Sequence, residues 1–283
     1  FSFWRILMGD CKYCGKPAGI LRSKHTECQN RLDYGINKIS SLVKSSFSND
    51  SNLIDLKEEV KKIASHNHIS EIELNNTLRK GWQVAIERAF DDGLLSEKEE
   101  KRLGEMIEIF GFNRDSLNSD PSYVKMVRGA VLRDVMEGHI PERMTIIGNV
   151  PFNLQKSEKL VWVFQNVKYY EMRTRRQYVG GYQGFSVRIA KGLYYRAGAF
   201  KGHPVETTQM VHVDTGFLGV TTNHIYFSGQ SKGFRIKYDK IVSFEPYSDG
   251  LGVQKDGQTA KPQVFVTGDG WFTANLIMNL AKL

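Results

Sequence analysis

The chain has 283 residues, of which 41% are hydrophobic and 25% are charged, a composition typical of a globular protein of about two domains. No apolar run approaches the roughly 20 residues that a membrane-spanning helix needs, and no signal peptide is evident. The net charge of +8 is unevenly divided, with +4 in residues 1–50, −4 in residues 51–140 and +8 in residues 141–283. This division predicts parts with different roles and favours an anionic partner for the last part. Because the chain begins at Phe1, either an upstream segment is missing or Met8 is the natural start.

All three cysteines lie near the beginning of the chain, in a pattern typical of metal ligands. Two residues separate Cys11 from Cys14, Gly15 follows, and His25 and Cys28 form a second pair with the same gap. A thiolate pair on a tight turn directs both sulfurs at one point, and a second pair completes a tetrahedron that suits zinc. The sequence therefore predicts a structural Zn²⁺ site with no open position, in a protein from a reducing compartment. The alternative is a group of buried reduced cysteines to which His25 contributes nothing.

The middle of the chain has the periodicity of helices. Apolar residues recur at helical spacing from Leu32 to Val43 and again through residues 53–140, with a serine-rich stretch at residues 45–52 that predicts a linker. Two motifs of Ser followed three residues later by Glu predict capped helix starts. These capping boxes are Ser70 with Glu73 and Ser96 with Glu99.

From Pro141 the pattern changes to short runs rich in β-branched and aromatic residues, which predict strands. Gly180-Gly181 predicts a turn between two of them, and residues 271–280 predict a closing amphipathic helix. The predicted fold class is therefore α+β and multidomain, with an antiparallel barrel or sandwich after an all-α part. The predicted domains are a zinc knuckle at 1–30, a helix and linker at 31–52, a helical domain at 53–140 and a β domain at 141–283.

The β domain resembles a known superfold. Residues 214–227 give a strand ending in Thr and then an aromatic strand, and residues 235–244 give a strand, a turn and a strand. With the terminal helix they resemble the bacterial, GRAM-like form of the pleckstrin-homology (PH) superfold. Residues 157–162 resemble the segment that leads into such a domain. The resemblance implies an enlarged antiparallel β-barrel of PH-like type with a plugging C-terminal helix. Pleckstrin-like proteins bind phosphoinositides, peptides or other proteins, and the family alone does not imply catalysis.

The whole layout resembles uncharacterised bacterial zinc-ribbon proteins. Within the β domain, bases and aromatic rings are interleaved over residues 169–201. Arginine forks match phosphate oxygens, and tyrosine rings stack on bases or lie at a lipid interface. The stretch predicts a face that binds anionic lipid head groups, nucleic acid or an acidic protein, and the alternative is an ordinary solvated strand face. The candidate residues are Arg173, Arg175, Arg176, Arg188, Lys191 and Arg196.

Few residues suggest catalysis once the cysteines are assigned to a metal. The sequence has no Gly-x-Ser-x-Gly elbow, and although His212, Asp214 and His224 could meet across strands, such groups more often orient a sheet. We therefore predict a non-enzymatic, cytoplasmic binding or adaptor protein, with peripheral membrane association left open. Its β domain would recognise a protein or an anionic surface. The alternative is a nucleic-acid-binding protein that uses the zinc knuckle and residues 169–201, and a hydrolase in the β domain ranks last.

Overall fold

The computed structural model describes residues 8–48, 51–144, 151–190, 193–257 and 260–283, with the backbone alone at 175–190 and 193–207. Within these ranges the chain forms seven α-helices and nine β-strands, so it is a mixed α+β protein. It divides into two units, Phe1–Arg133 and Asp134–Leu283. In the described part of the chain, none of the helices combines the length and the apolarity needed to cross a bilayer.

A small hairpin of strands β1 (Met8–Asp10) and β2 (Pro17–Ile20) opens the first unit, and six helices follow. Both predicted capping boxes are confirmed: in each, the serine hydroxyl accepts the N–H of the glutamate, whose carboxylate accepts the N–H of the serine. The helices are α1 (Thr26–Ser48), α2 (Leu53–His66), α3 (Glu71–Ala89), α4 (Glu97–Phe110), α5 (Arg114–Leu117) and α6 (Pro121–Met136).

Helix α1 extends further than the predicted linker at residues 45–52 would allow. Its last turns include Ser45 and Ser46, whose hydroxyls donate to the carbonyls of Leu42 and Val43 within the helix. A serine that bonds to its own helix does not compete with the backbone ladder, so the serine-rich composition does not end the helix here.

Helices α1 and α4 pack against α3, which carries the fully buried side chain of Trp82. Its ring N–H donates to the carbonyl of Leu103 at 3.1 Å, so the one polar group of this large side chain has a partner. Next to it, Gly81 lets α1 approach closely, since a Cβ atom at this position would lie 2.6 Å from Cγ1 of Val43. The helical part of the first unit therefore has an apolar core of its own.

The second unit is built on one antiparallel sheet of seven strands, curled into a half-barrel, with strand order β6-β5-β4-β3-β9-β8-β7. Two meanders, β3 to β6 and β7 to β9, are joined where β3 pairs with β9, and α7 (Gly270–Leu280) follows them. The strands are β3 (Leu160–Ala190), β4 (Leu193–Thr221), β5 (His224–Gly229), β6 (Gly233–Lys237), β7 (Ile241–Pro246), β8 (Gly250–Lys255) and β9 (Gln263–Val266).

The turn predicted at Gly180-Gly181 is wrong. Strand β3 runs straight through both glycines, which pair with Gly202 and Lys201 of β4. A glycine inside a strand is tolerated where the partner strand keeps its register, although it weakens the ladder. The antiparallel pairing of β3 and β4 continues to Ala190 and Leu193, the last described residues on either side of the gap at 191–192.

Aromatic side chains pack together in the core of the second unit. Tyr169, Phe227 and Phe265 are buried together, with ring centroids 5.0 to 6.1 Å apart. Helix α7 adds Phe272, whose ring meets Trp162 edge-on at 5.1 Å. Each aromatic contact of this kind adds about 0.5–1.5 kcal/mol to the stabilisation from area burial.

A buried carboxylate ties the segment before β3 to the sheet. The side chain of Glu158 is fully buried, and its oxygens accept hydrogen bonds from the Tyr226 hydroxyl at 2.5 Å and from the Gln155 N–H at 2.9 Å. Thr221 and the imidazole of His224 bond to the same carboxylate. Burial opposes ionisation, but the hydrogen bonds outweigh it and lower the pKa of Glu158 below its ordinary value.

We expect Glu158→Gln to destabilise the second unit by about 1–3 kcal/mol at pH 7, since the variant loses a charge-assisted network inside the protein. A carboxyl with a lowered pKa stabilises the fold above its unfolded value of about 4.3, and this contribution is lost as pH falls through the folded value. The difference in the free energy of unfolding between variant and wild type should therefore shrink from pH 7 to pH 4 and below. Urea unfolding followed by near-ultraviolet circular dichroism measures it, with the exposed Glu137→Gln as control. A gap that stays constant with pH would contradict the assignment.

Candidate metal centre

The first two candidate ligands sit on a tight turn between β1 and β2. The N–H of Gly15 donates to the carbonyl of Cys11 at 2.8 Å, and the N–H of Cys11 donates to the carbonyl of Lys16 at 2.8 Å. Gly15 has φ +70°, a left-handed conformation that glycine adopts without steric cost. The turn therefore places Cys11 and Cys14 side by side.

The other two candidate ligands come from the start of α1. His25 directly precedes the helix, and Cys28 lies in its first turn. The N–H of His25 points at Sγ of Cys11 at 3.4 Å, which ties the helix start to the hairpin turn. Cys11 and Cys28 are buried, and Cys14 and His25 are partly exposed.

The four side chains converge on one point. Nδ1 of His25 lies 3.4 Å from Sγ of Cys14 and 3.8 Å from Sγ of Cys28, and all four donor atoms lie within 4.8 Å of one another. The cysteines form no disulfide. Cys11, Cys14, His25 and Cys28 could therefore hold a metal ion, as the sequence predicted.

The imidazole of His25 is held in the orientation that a ligand needs. Its Nε2 lies 3.0 Å from the carbonyl oxygen of Pro17, and a carbonyl only accepts, so Nε2 carries the proton. In the neutral ring this leaves the lone pair of Nδ1 facing the sulfurs of Cys14 and Cys28. A ring nitrogen bonded to a backbone carbonyl is the usual support for a metal-binding histidine.

The sulfurs differ in their acidity. Burial raises the pKa of Cys11, but the N–H groups of Cys14, His25 and Tyr13 outweigh it and bring that pKa to about 6. Burial, followed by the neighbouring sulfurs, raises the pKa of Cys28 to about 11. Ionising one sulfur thus hinders ionising the next, and a cation among them would remove this conflict.

Tyr13 connects the hairpin and the four candidate ligands, residues 8–28, to the helices of the first unit. We call residues 8–28 the cage. The hydroxyl of Tyr13 donates to Gln29 of α1 at 3.1 Å, and its ring stacks on His68 at 6.4 Å between centroids. Tyr13 packs against both the helical core and the small cluster of Cys11, Ala18 and Cys28. The cage has little apolar content of its own, so its order depends on what holds the four donors together.

The predicted anion-binding residues are only partly described. Arg173 is exposed and lies 3.6 Å from the carboxylate of Glu171. Arg175, Arg176, Arg188 and Arg196 belong to the paired backbone of β3 and β4, but their side chains lie outside the described residues. Lys191 lies wholly outside the described ranges, as do residues 1–7.

These arginines fall in the part of β3 and β4 that extends beyond the rest of the sheet, residues 172–190 and 193–210, which we name the ribbon. Strand β3 pairs with β9 only as far as Glu171, and β4 pairs with β5 only from Gly216 onward. Within the described residues the two strands of the ribbon therefore pair only with each other. At about 3.3 Å per residue, 19 residues of β3 span roughly 60 Å.

The histidines of the β domain have other partners than those suggested by sequence. His212 bonds to Thr215, Asp214 accepts the N–H groups of Ser231 and Lys232, and His224 bonds to Glu158. Sequence reasoning missed Glu158, which carries no periodic or motif signal. Of the three side chains that could have met across strands, His212 and Asp214 both bond to Thr215, whereas His224 belongs to the network of Glu158.

We expect metal removal to unfold the cage and leave the helices in place. After treatment with EDTA, backbone amides of residues 8–25 should exchange with deuterium at nearly unprotected rates, because little apolar burial remains to order them. Amides of α3 and α4 should stay protected by the core around Trp82. Hydrogen-exchange mass spectrometry on the full chain, with and without chelator, measures both. Unchanged protection of residues 8–25 after verified metal loss would contradict the dependence.

Comparisons with protein-family models, with curated proteins and with solved structures found no match to this chain. The PH-like and zinc-ribbon resemblances thus stay predictions. What the structure shows is a Cys/His cluster that could bind a metal ion and a curled antiparallel half-barrel.

Proposed function

We propose that the Cys/His cluster holds a structural zinc ion. Zinc–sulfur bonds of about 2.3 Å and zinc–nitrogen bonds of about 2.0–2.1 Å place the ligands of a regular tetrahedron about 3.6 Å apart for sulfur and nitrogen. The separations of 3.4 and 3.8 Å between Nδ1 of His25 and the two nearest sulfurs lie on either side of this value. Three sulfurs and one imidazole are a ligand set that zinc takes in structural sites. Such a set leaves the ion no open position for a reacting water, so we assign the centre to folding rather than to catalysis.

Elemental analysis of the full chain tests the assignment. We expect about one zinc per chain in the wild type, and a loss of most of it in His25→Asn, which keeps a polar side chain without the imidazole. His66→Asn is the matched control, because His66 is exposed and bonds within its own helix. Metal-free wild type purified under reducing conditions, or equal zinc in both variants, would refute the site.

The strand order supports assigning the second unit to the PH-like type. Two antiparallel meanders meet through β3 and β9, and a helix follows the last strand and packs Phe272 against Trp162 and Phe164. The resemblance implies an enlarged antiparallel barrel with a C-terminal helix, and we assign its extra length to one hairpin. Here that hairpin is the ribbon.

We infer that the protein is a non-enzymatic adaptor whose ribbon binds an acidic protein surface. The observation that carries the inference is that, among the residues that the structure describes, the two strands of the ribbon pair only with each other, in a segment rich in bases. Residues 172–210 contain seven Lys or Arg and one Glu. A two-stranded ribbon is marginally stable in water, and its open edges and positive charge are suited to an anionic partner. Nucleic acid is the second candidate, because the major groove of duplex DNA admits a two-stranded ribbon.

Fluorescence anisotropy distinguishes these partners. The probes are a labelled oligoglutamate peptide, a labelled DNA duplex and phosphatidylserine vesicles, each titrated with the full chain at low and at high salt. We expect peptide binding that weakens with salt and is lost in Arg175→Ala plus Arg176→Ala. Lys232→Ala plus Lys282→Ala removes the same charge elsewhere in the unit and should retain binding. Preference for DNA would replace the adaptor by the nucleic-acid binder, and preference for vesicles would make the partner a membrane surface. No binding to any probe would overturn the basic ribbon as a binding surface.

A further inference from the structure

The cage carries an exposed apolar turn next to its metal ligands. Strand β2 ends at Ile20, and the chain then folds through a turn in which the N–H of Arg22 donates to the carbonyl of Gly19 at 3.4 Å. The two central side chains of this turn are aliphatic, and the exposed fraction is 51% for Ile20 and 85% for Leu21. Among the described residues, Leu21 is the most exposed of the large apolar side chains. We call residues 19–24 the tip.

The backbone of Leu21 has a conformation that leucine rarely adopts. Its φ is +58°, in the left-handed region. At the third position of a turn, Gly or Asn normally occupies this region, because a bulky side chain on Cβ crowds the neighbouring backbone. The turn alone would therefore favour one of those two residues. Leucine at this position points to a use for its side chain outside the turn.

The surface beside Leu21 is basic. Residues 19–24 contain Arg22 and Lys24 and no acidic side chain, and both bases are exposed. A space of about 440 Å³ lies against Leu21, and its described lining includes both bases and Gln29 but no acidic residue. The Lys24 ammonium donates to Oε1 of Gln29 at 2.8 Å, a neutral partner that does not cancel its charge. An anionic group beside the tip would thus meet positive charge without a competing carboxylate.

Two aliphatic side chains beside two bases suit the interface of an anionic membrane better than a protein surface. A stable protein interface buries about 800 Å² on each partner, far more than two side chains can cover. A bilayer needs no complementary pocket. Aliphatic side chains enter the region between the head groups and the acyl chains, and bases remain at the level of anionic head groups.

We propose that the tip inserts Ile20 and Leu21 into the interface of an anionic membrane, with Arg22 and Lys24 at the lipid head groups. Apolar insertion and electrostatic attraction act together here, because each gives only marginal binding by itself. The inference goes beyond the proposed function, since it concerns the cage rather than the ribbon and gives the cage a role besides folding.

Co-sedimentation of the full, zinc-loaded chain with vesicles tests the proposal. The vesicles are phosphatidylcholine with and without phosphatidylserine. We expect binding to the anionic vesicles that falls with salt, and little binding to phosphatidylcholine alone. Leu21→Asn should weaken this binding roughly tenfold, because the apolar side chain is lost while asparagine tolerates the left-handed backbone. Ile54→Asn is the matched control, since Ile54 is also an exposed aliphatic residue but lies in the first turn of α2.

Charge variants test the electrostatic part. Arg22→Gln plus Lys24→Gln should weaken binding roughly 20- to 30-fold at low salt, as each base near an anionic surface contributes about fivefold. Lys44→Gln plus Lys62→Gln removes the same charge from exposed positions on α1 and α2 and should bind within about twofold of wild type. The zinc content of each variant verifies that the cage is intact, because none of these residues is a candidate ligand.

Weaker binding by Leu21→Asn together with unchanged binding by Ile54→Asn supports the proposal. Equal binding by these two variants, or no binding to anionic vesicles at low salt, overturns it. Binding that disappears from a chain that begins at Met8 would be due to residues 1–7 and would also overturn it. So would binding of the labelled oligoglutamate peptide through Leu21 without vesicle binding, which would assign the tip to an acidic protein.

The variant Arg175→Ala plus Arg176→Ala separates this result from the proposed function. It should lose the ribbon partner and still bind anionic vesicles through the tip. Vesicle binding that is lost in this variant and unchanged in Leu21→Asn would place the contact on the ribbon and overturn the role of the tip.

Discussion

Three sulfur atoms and one imidazole nitrogen converge within 4.8 Å at the beginning of the first unit, and we expect the order of that region to depend on this convergence. The hairpin of β1 and β2 is too short to bury an apolar core, and the start of α1 is fixed to it by the N–H of His25 against the sulfur of Cys11. Tyr13 then carries the constraint to the helices through Gln29 and His68. A metal ion that binds these donors would supply folding free energy where the hydrophobic effect supplies little.

The second unit differs from the first, because it has an apolar core in which several polar groups are buried and need hydrogen-bond partners. Tyr169 illustrates the solution: its ring is fully buried against Phe227 and Phe265, and its hydroxyl is bonded to Glu171 and Gln263. The carboxylate of Glu158 is satisfied in a similar way. It bonds to Tyr226 and His224, and its side chain has no contact with water. Each network fixes strands relative to one another, which a core of apolar contacts alone specifies less sharply.

The ribbon and a cavity lined by Lys240, Lys255 and Lys261 both follow from the curled sheet. Strands β3 and β4 run past the point where β9 and β5 stop, and among the described residues the extended parts of these strands pair only with each other. The cavity opens beside the same point, where β9 begins, and Glu171 and Met172 of β3 form one side of it. The ribbon and this cavity thus adjoin on one unit.

The sequence by itself determined the local features. The ligand spacing from Cys11 to Cys28, the capping boxes at Ser70 and Ser96, and the helical stripes are set by contacts between near neighbours, which a short stretch of chain specifies. Only the tertiary structure decided that β3 passes through Gly180 and Gly181, since a diglycine is equally compatible with a turn and with a strand whose partner keeps register. It also decided that Glu158 meets His224, 66 residues away, and that the three lysines line one cavity. Such meetings depend on how the sheet curls, a property of all seven strands together that no local pattern encodes.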